Sequence, residues 1–261
     1  MLTHAQIKHL AALKNKKYRT ELGRFTAEGH KLVMELVNSR FHVEAVYATP
    51  AWQTENDSLI QTFPVPLHTI LPHQMERVTQ LSTPGPILAE VCIPEPGEEP
   101  VYSHGLVLAL DGIRDPGNLG TIIRIADWFG IREIACSGDC VEAWNPKVIQ
   151  ATMGSIVRVA VHSCDLPRFL ASAALAHPPR PVYGALLDGD SLYTTRLEPE
   201  GIIVIGNESR GISPETARFV NRRITIPAYG GAGDDRAESL NASVAAAVIC
   251  AEFRRCRQVS E

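Results

Sequence analysis

Apolar residues recur at helical spacing in the first stretch of the chain. Ile7, Leu10 and Leu13 share a face, and Thr3-x-x-Gln6 ahead of them has the form of a capping box. A second helix is expected from near Glu28, where Leu32, Val33, Leu36 and Val37 repeat the spacing. The run Val43–Ala48, closed by Thr49-Pro50, reads as a strand. Strand-like Pro64–Ile70, a helix near His73–Leu81 and strand-like Ile87–Ile93 complete a small α/β module. The Pro/Gly/acidic stretch Pro94–Pro100 can continue neither kind of element and marks a linker. The expected organisation is an N-terminal domain over 1–93, a linker over 94–104 and a second domain over 105–261.

Beyond the linker, apolar strands alternate with helices. Leu106–Leu110, Glu133–Cys136, Arg158–His162, Pro181–Leu187, Ile202–Ile205 and Arg223–Ile226 are the strand candidates. The first and fifth are unbroken apolar runs, as befits strands covered on both faces. Helices are expected at Asn118–Phe129, Pro146–Thr152, Leu166–Ala176, Pro214–Phe219 and Ser239–Arg255. That order predicts an α/β fold with a mostly parallel sheet and helices on both sides.

Charge changes the picture locally. The net charge is −4, yet residues 8–24 hold Lys8, Lys14, Lys16, Lys17, Arg19 and Arg24 against the single acid Glu21. A basic segment on an otherwise acidic body fits a phosphate-contacting patch as well as it fits a solvated helix face. Nothing at the N-terminus has the form of a signal peptide, and no apolar run approaches a membrane span, so a cytoplasmic protein without a membrane partner is expected. The six cysteines form no C-x-x-C pair, and Cys136 and Cys140 lack partners at zinc-site spacing, so no metal is expected.

Three blocks carry candidate chemistry. In Leu110–Asp127 a buried strand runs through a Pro/Gly turn into a helix, with Asn118 at the expected N-cap and Arg124 six residues on. It is not a G-x-G-x-x-G fingerprint. In Ile202–Ser213 an apolar run ends at Gly206, followed by Asn207, Glu208 and Gly211. Polar groups at the carboxyl end of a buried parallel strand are where open α/β sheets bind ligands, which this block fits better than the alternative of a turn satisfied by Asn207 and Glu208. In the third block Ile226-Pro227 leads through a glycine-rich charged loop to Ser239-Leu240-Asn241, with Ser239 expected to cap an Ala-rich helix.

In this order and spacing the blocks resemble the SpoU (TrmH-like) family of RNA 2′-O-ribose methyltransferases, of the SPOUT class. The matching elements are Asn118-x-Gly120-x-x-x-Arg124, Gly206-Asn207-Glu208-x-x-Gly211, and Ile226-Pro227 with Ser239-Leu240-Asn241. Leu13–Arg19 and Glu28–Leu32 resemble the family's N-terminal substrate-binding domain, so the likeness spans nearly the whole chain. One departure is the connection Ala228–Glu238, longer than the family's usual loop and containing Asp234 and Asp235.

The resemblance implies a C-terminal trefoil knot, S-adenosyl-L-methionine as cofactor, structured rRNA or tRNA as substrate, and a homodimer. It also implies residue roles. Leu186, Gly206, Asn207, Gly211, Ile226 and Leu240 would hold the cofactor. Arg124, Asn118, Glu208, Ser239 and Asn241 would form the catalytic set, with Arg124 as base or as phosphate-orienting clamp. RNA would meet Lys14, Lys16, Lys17, Arg19 and Arg24. Two other readings are a non-catalytic RNA-binding protein on the same scaffold and a nucleotide-dependent oxidoreductase. The second lacks both the glycine fingerprint and the acidic ribose partner.

Overall fold

A computed structural model describes residues 2–95, 105–176, 179–229 and 238–258. The chain forms two compact units, the first comprising Met1–Pro96 with Ala143–Val157 and the second Gly97–Glu142 with Arg158–Glu261. Most of the expected linker (96–104) and most of the long loop (230–237) lie outside the described residues.

The first unit runs α1 (His4–Ala12), α2 (Lys16–Leu22), β1 (Arg24–Glu28), α3 (His30–Val37), β2 (Val43–Ala48), α4 (Pro50–Glu55), α5 (Asp57–Ile60), β3 (Leu67–Thr69), α6 (Pro72–Val78) and β4 (Ile87–Cys92). Its sheet has the order β1-β4-β2-β3, antiparallel except for the β2–β3 pair. The Thr3 capping box forms as expected, and Ile7 and Leu10 join Tyr47, Ile70, Met75 and Leu88 in a buried cluster.

The sequence reading missed α2 and β1. Asn15 caps α2 by accepting from the Lys17 N–H, and Gly23 ends it in the left-handed region at φ +61°. Five residues without a long apolar run then suffice for β1, because β4 lies antiparallel beside it. The helix expected from Glu28 begins only after Gly29, at φ +101°.

The second unit begins with β5 (Leu106–Asp111), α7 (Pro116–Trp128) and β6 (Glu133–Cys136). The chain next passes through α8 (Pro146–Thr152), which was expected within the second domain but packs with the first unit, against β1. It returns with β7 (Ala160–Ser163), α9 (Leu166–Leu175), β8 (Val182–Ser191), β9 (Gly201–Gly206), α10 (Pro214–Ala217), β10 (Arg222–Thr225) and α11 (Ala242–Gln258). Six strands form one all-parallel sheet, order β10-β8-β9-β5-β6-β7.

β5 and the apolar run of β9 are buried throughout, which explains their unbroken apolar sequences. Chain order runs outward from β5 through β6 to β7, then resumes on the other side of β5. The crevice at the carboxyl ends of β5 and β9 is therefore a topological switch point, where ligands of open α/β sheets bind. α11 packs along α7, and Phe253 meets Tyr183 edge-on at 4.9 Å. Among the described residues no helix is long and apolar enough to cross a membrane.

Candidate functional site at the strand switch point

Asp111, the last residue of β5, pairs in register with Gly206, the last of β9. The buried Asp111 carboxylate accepts from both the Ser213 N–H and the Ser213 hydroxyl, at 2.8 and 2.7 Å. It anchors the segment that follows β9. A Cβ on Gly206 would lie 2.3 Å from the Gly211 carbonyl carbon, so only glycine lets the chain fold back here. Asn207 and Gly211 exchange main-chain hydrogen bonds at 3.0 and 2.8 Å, closing the turn. The Asn207 side chain accepts from the Ser209 and Arg210 N–H groups and donates to the Gly112 carbonyl. Asn207 thus holds the β9 turn to the β5 turn. Leu186 lies two residues beyond the last β8–β9 pair, Gly184–Val204, in a stretch where the β8–β10 register shifts.

Two caps differ from expectation. Asp115, not Asn118, caps α7, accepting from the Asn118 N–H at 2.8 Å. Pro116 can open the helix because its position needs no donor, which moves the start upstream and puts Asn118 in the first turn. Asn241, not Ser239, caps α11, its Oδ1 accepting from the Ser243 N–H at 2.9 Å. Asn118 is thereby freed for longer-range work, and the Asn241 amide NH2 is left available while its oxygen caps. The Asn118 amide donates to Glu208 and its carbonyl accepts from the Asn241 amide at 2.9 Å. Residues from all three sequence blocks are therefore joined in one hydrogen-bonded chain.

The remaining expected residues lie outside that hydrogen-bonded chain. Arg124 is exposed on α7 and, among the described residues, has no side-chain partner. Ser239 is exposed, Ile226 is half-buried just beyond β10, and Leu240 leaves 46% of its surface open. In the first unit Lys14, Lys16 and Lys17 are exposed, whereas Arg19 is buried and donates to the Leu13 carbonyl. Arg24 is partly exposed and donates to Glu44 and the Cys92 thiol. Arg19 is a correction to the expected RNA patch, because its guanidinium is buried in the fold, whereas Arg24 keeps part of its surface open and is ion-paired.

Sequence reasoning also missed Ser137, Asp139 and Cys140, which follow β6 and touch the β5 turn. The Gly112 N–H donates to the Ser137 hydroxyl and the Ile113 N–H to the Cys140 sulfur. No motif signals them, since strand pairing alone brings them there. A cavity of about 860 Å³ lies at the other, amino-terminal edge of the sheet, lined by Gly105, Arg132, Glu133, Arg196, Glu198 and Arg254 among others. Its charges are mixed and it contains none of the motif residues, so side-chain chemistry rather than volume locates the site.

The residues suit an adenosyl group. Leu186, Ile226 and Leu240 each keep part of their apolar surface open, and the β9 turn bounded by Gly206 and Gly211 exposes main-chain groups rather than side chains.

Solved structures of similar chains define the class as RNA methyltransferases. A TrmH-family chain from Porphyromonas gingivalis superposes with TM-score 0.85 at 38% identity, covering 98% of this chain and 99% of that one. An AdoMet-bound rRNA methyltransferase from Sinorhizobium meliloti does so with TM-score 0.82 at 26% identity, covering 98% and 96%. The 23S rRNA (guanosine(2553)-2′-O)-methyltransferase RlmP of Bacillus subtilis is 29% identical over 95% of this chain and 96% of its own length. Residues 105–251 match the SpoU rRNA methylase family and residues 4–89 the MRM3-like substrate binding domain. The chain belongs to the SpoU rRNA methylase family.

Proposed function

We infer that this chain moves the methyl group of S-adenosylmethionine onto a ribose 2′-hydroxyl of structured RNA, with ribosomal RNA the favoured substrate. The observation carrying this reading is the Glu208–Asn118–Asn241 chain at the switch point of the parallel sheet. These polar groups come from three separate blocks and meet at the strand ends where open α/β sheets bind ligands.

When bound, the cofactor supplies an electrophilic methyl group on a sulfonium. Leu186, Ile226 and Leu240 would hold it through their apolar surface, with main-chain groups around Gly206, Asn207 and Gly211. Asn118, Glu208 and Asn241 orient the ribose, and Ser239 bonds nearby. Much of the rate then comes from positioning. A 2′-hydroxyl is a poor nucleophile until its proton is shared. Arg124 is the residue for that task, either as base or as the clamp that aligns phosphate and hydroxyl. A charged guanidinium has no acceptor, so the base role requires RNA to change its surroundings.

The first unit, with Lys14, Lys16 and Lys17 exposed, captures the RNA. The resemblance to the family supports a trefoil knot formed by the β9–β10 segments and α11, a cytoplasmic location and a homodimer. Exposed Trp128 on α7 and Val244 on α11 offer apolar surface to a second copy.

Transfer of labelled methyl groups to ribosomal and transfer RNA, with mapping of the modified ribose, tests the reading. Arg124→Ala is expected to abolish transfer and leave cofactor affinity nearly intact. A variant with normal turnover removes Arg124 from the mechanism, and transfer to a base rather than a ribose removes the reading.

A further inference from the structure

Between β5 and α7 the chain makes a short loop, Gly112–Asp115, that ends at the cap of the Asn118 helix. Its one exposed cation, Arg114, is not left to move freely. Its NH2 donates to Asp139 Oδ2 at 2.9 Å, and Asp139 Oδ1 accepts from the Ser137 hydroxyl at 2.7 Å. That hydroxyl oxygen in turn accepts the Gly112 N–H at 2.9 Å. Gly112 has φ +70°, and a Cβ there would lie 3.3 Å from Asp139 Oδ2, so the loop and the carboxylate approach closely. The two hydrogen bonds, Ser137 first and Arg114 second, hold the Asp139 carboxyl below its ordinary range.

An ion pair with both side chains about half exposed adds little to stability. Its consequence is orientation. Among the described residues one of the five guanidinium N–H donors is engaged, and the others are available to an oxyanion in a fixed fork. A ribose 2′-hydroxyl is vicinal to the 3′-oxygen that carries the next phosphate. A substrate whose ribose lies beside Asn118 therefore has a phosphate close to the start of α7.

We propose that Arg114, steered by Asp139 and Ser137, grips an RNA backbone phosphate flanking the target ribose. This rests on the RNA methyltransferase reading above. The fork is pre-organised, so less side-chain freedom is lost when RNA binds. Arg114 is the phosphate-binding residue here, and Asp139 is a positioning residue acting through it.

Steady-state methyl transfer and RNA binding across a salt series test the proposal. Arg114→Ala is expected to raise the KM for RNA about tenfold, more than it lowers kcat. The slope of log affinity against log salt should fall by about one phosphate contact. Arg114→Lys should recover the slope but only part of the KM, because a point charge replaces the fork. Asp139→Ala should keep the slope, since the cation remains, and raise KM by a few fold, with Asp139→Glu restoring it. Unchanged S-adenosylmethionine affinity in each variant reports an intact fold. Arg114→Ala with wild-type KM and slope overturns the proposal. A wild-type protein that methylates no RNA overturns the underlying reading instead.

Discussion

The side-chain amide of Asn241 donates to the side-chain carbonyl of Asn118 at 2.9 Å, across 123 positions of sequence. Both amides are used at both ends. Asn118 passes its own N–H to Glu208, and Asn241 turns its oxygen to the first N–H groups of α11. Neither can flip without setting donor against donor, so the network fixes both orientations. α7, the β9 turn and the start of α11 are locked together by groups that also face the site.

Removing Asn118 should therefore cost stability and turnover together. Asn118→Ala leaves Glu208 and Asn241 without their partner, and a loss of about 1–3 kcal/mol is expected in urea denaturation. Methyl transfer should fall by roughly 100-fold or more, the scale seen when one well-placed donor is lost from a reacting centre. Asn118→Asp should be worse than alanine at neutral pH, because it sets a carboxylate against Glu208. That excess penalty should shrink in acid. Equal stability of the two variants across pH contradicts the pairing.

Gly206 tests the turn by sterics alone. The clash of a Cβ with the Gly211 backbone, 2.3 Å from its carbonyl carbon, cannot be relieved by a side-chain rotation. Gly206→Ala should lose at least about 1–3 kcal/mol, as overpacking does, and S-adenosylmethionine affinity should fall with it in calorimetry. Gly138, like Gly206, has no left-handed φ, and a Cβ there has nothing within 4 Å. Gly138→Ala is therefore the matched control without a clash.

Much of this was legible in the chain because it is local. Unbroken apolar runs gave β5 and β9, glycines bounded the turns, and the three blocks named Asn118, Glu208 and Asn241. What sequence patterns could not give is pairing across distance. β1 is short and becomes a strand through β4 beside it. Arg19 reads as one more cation in a basic run until its neighbours bury it against the Leu13 carbonyl. The caps of α7 and α11 each moved from the expected residue to another polar neighbour, Asp115 and Asn241, because several adjacent polar residues can cap and local pattern cannot rank them. Ser137 and Asp139 gain meaning only once β6 lies beside β5.

Cys140 gives the second unit a measurable pH response. A hydrogen bond from the buried Cys136 thiol, opposed by burial and helped by Ser137 and the Ile113 and Gly112 N–H groups, lowers its pKa from 9.0 to about 7. The folded value lies below the unfolded one. The stability contributed by the thiolate is thus complete above the unfolded pKa and is lost as pH falls through about 7. Urea denaturation from pH 6 to 9 should show the wild type gaining on Cys140→Ser as pH rises. A constant difference between the two curves would show that the fold does not favour the thiolate.

The lysines of the first unit separate electrostatic capture from chemistry. Lys14, Lys16 and Lys17 are exposed, and Lys17 has only a 3.8 Å approach to Glu21 one helical turn on, a weak competitor for phosphate. Each phosphate neutralised on a single strand contributes about 0.7 to the salt slope. Reversing all three lysines to glutamate should lower the slope by about 2 and weaken RNA binding most at low salt. Turnover at saturating RNA should change far less than KM, because the Glu208–Asn118–Asn241 chain is built within the second unit. Reversing Arg19 instead is expected to unfold the first unit, since it places a buried carboxylate against the Leu13 carbonyl. Thermal denaturation distinguishes that collapse from a loss of RNA contact. If the triple reversal leaves affinity and slope at wild-type values, RNA is captured on another surface of the protein.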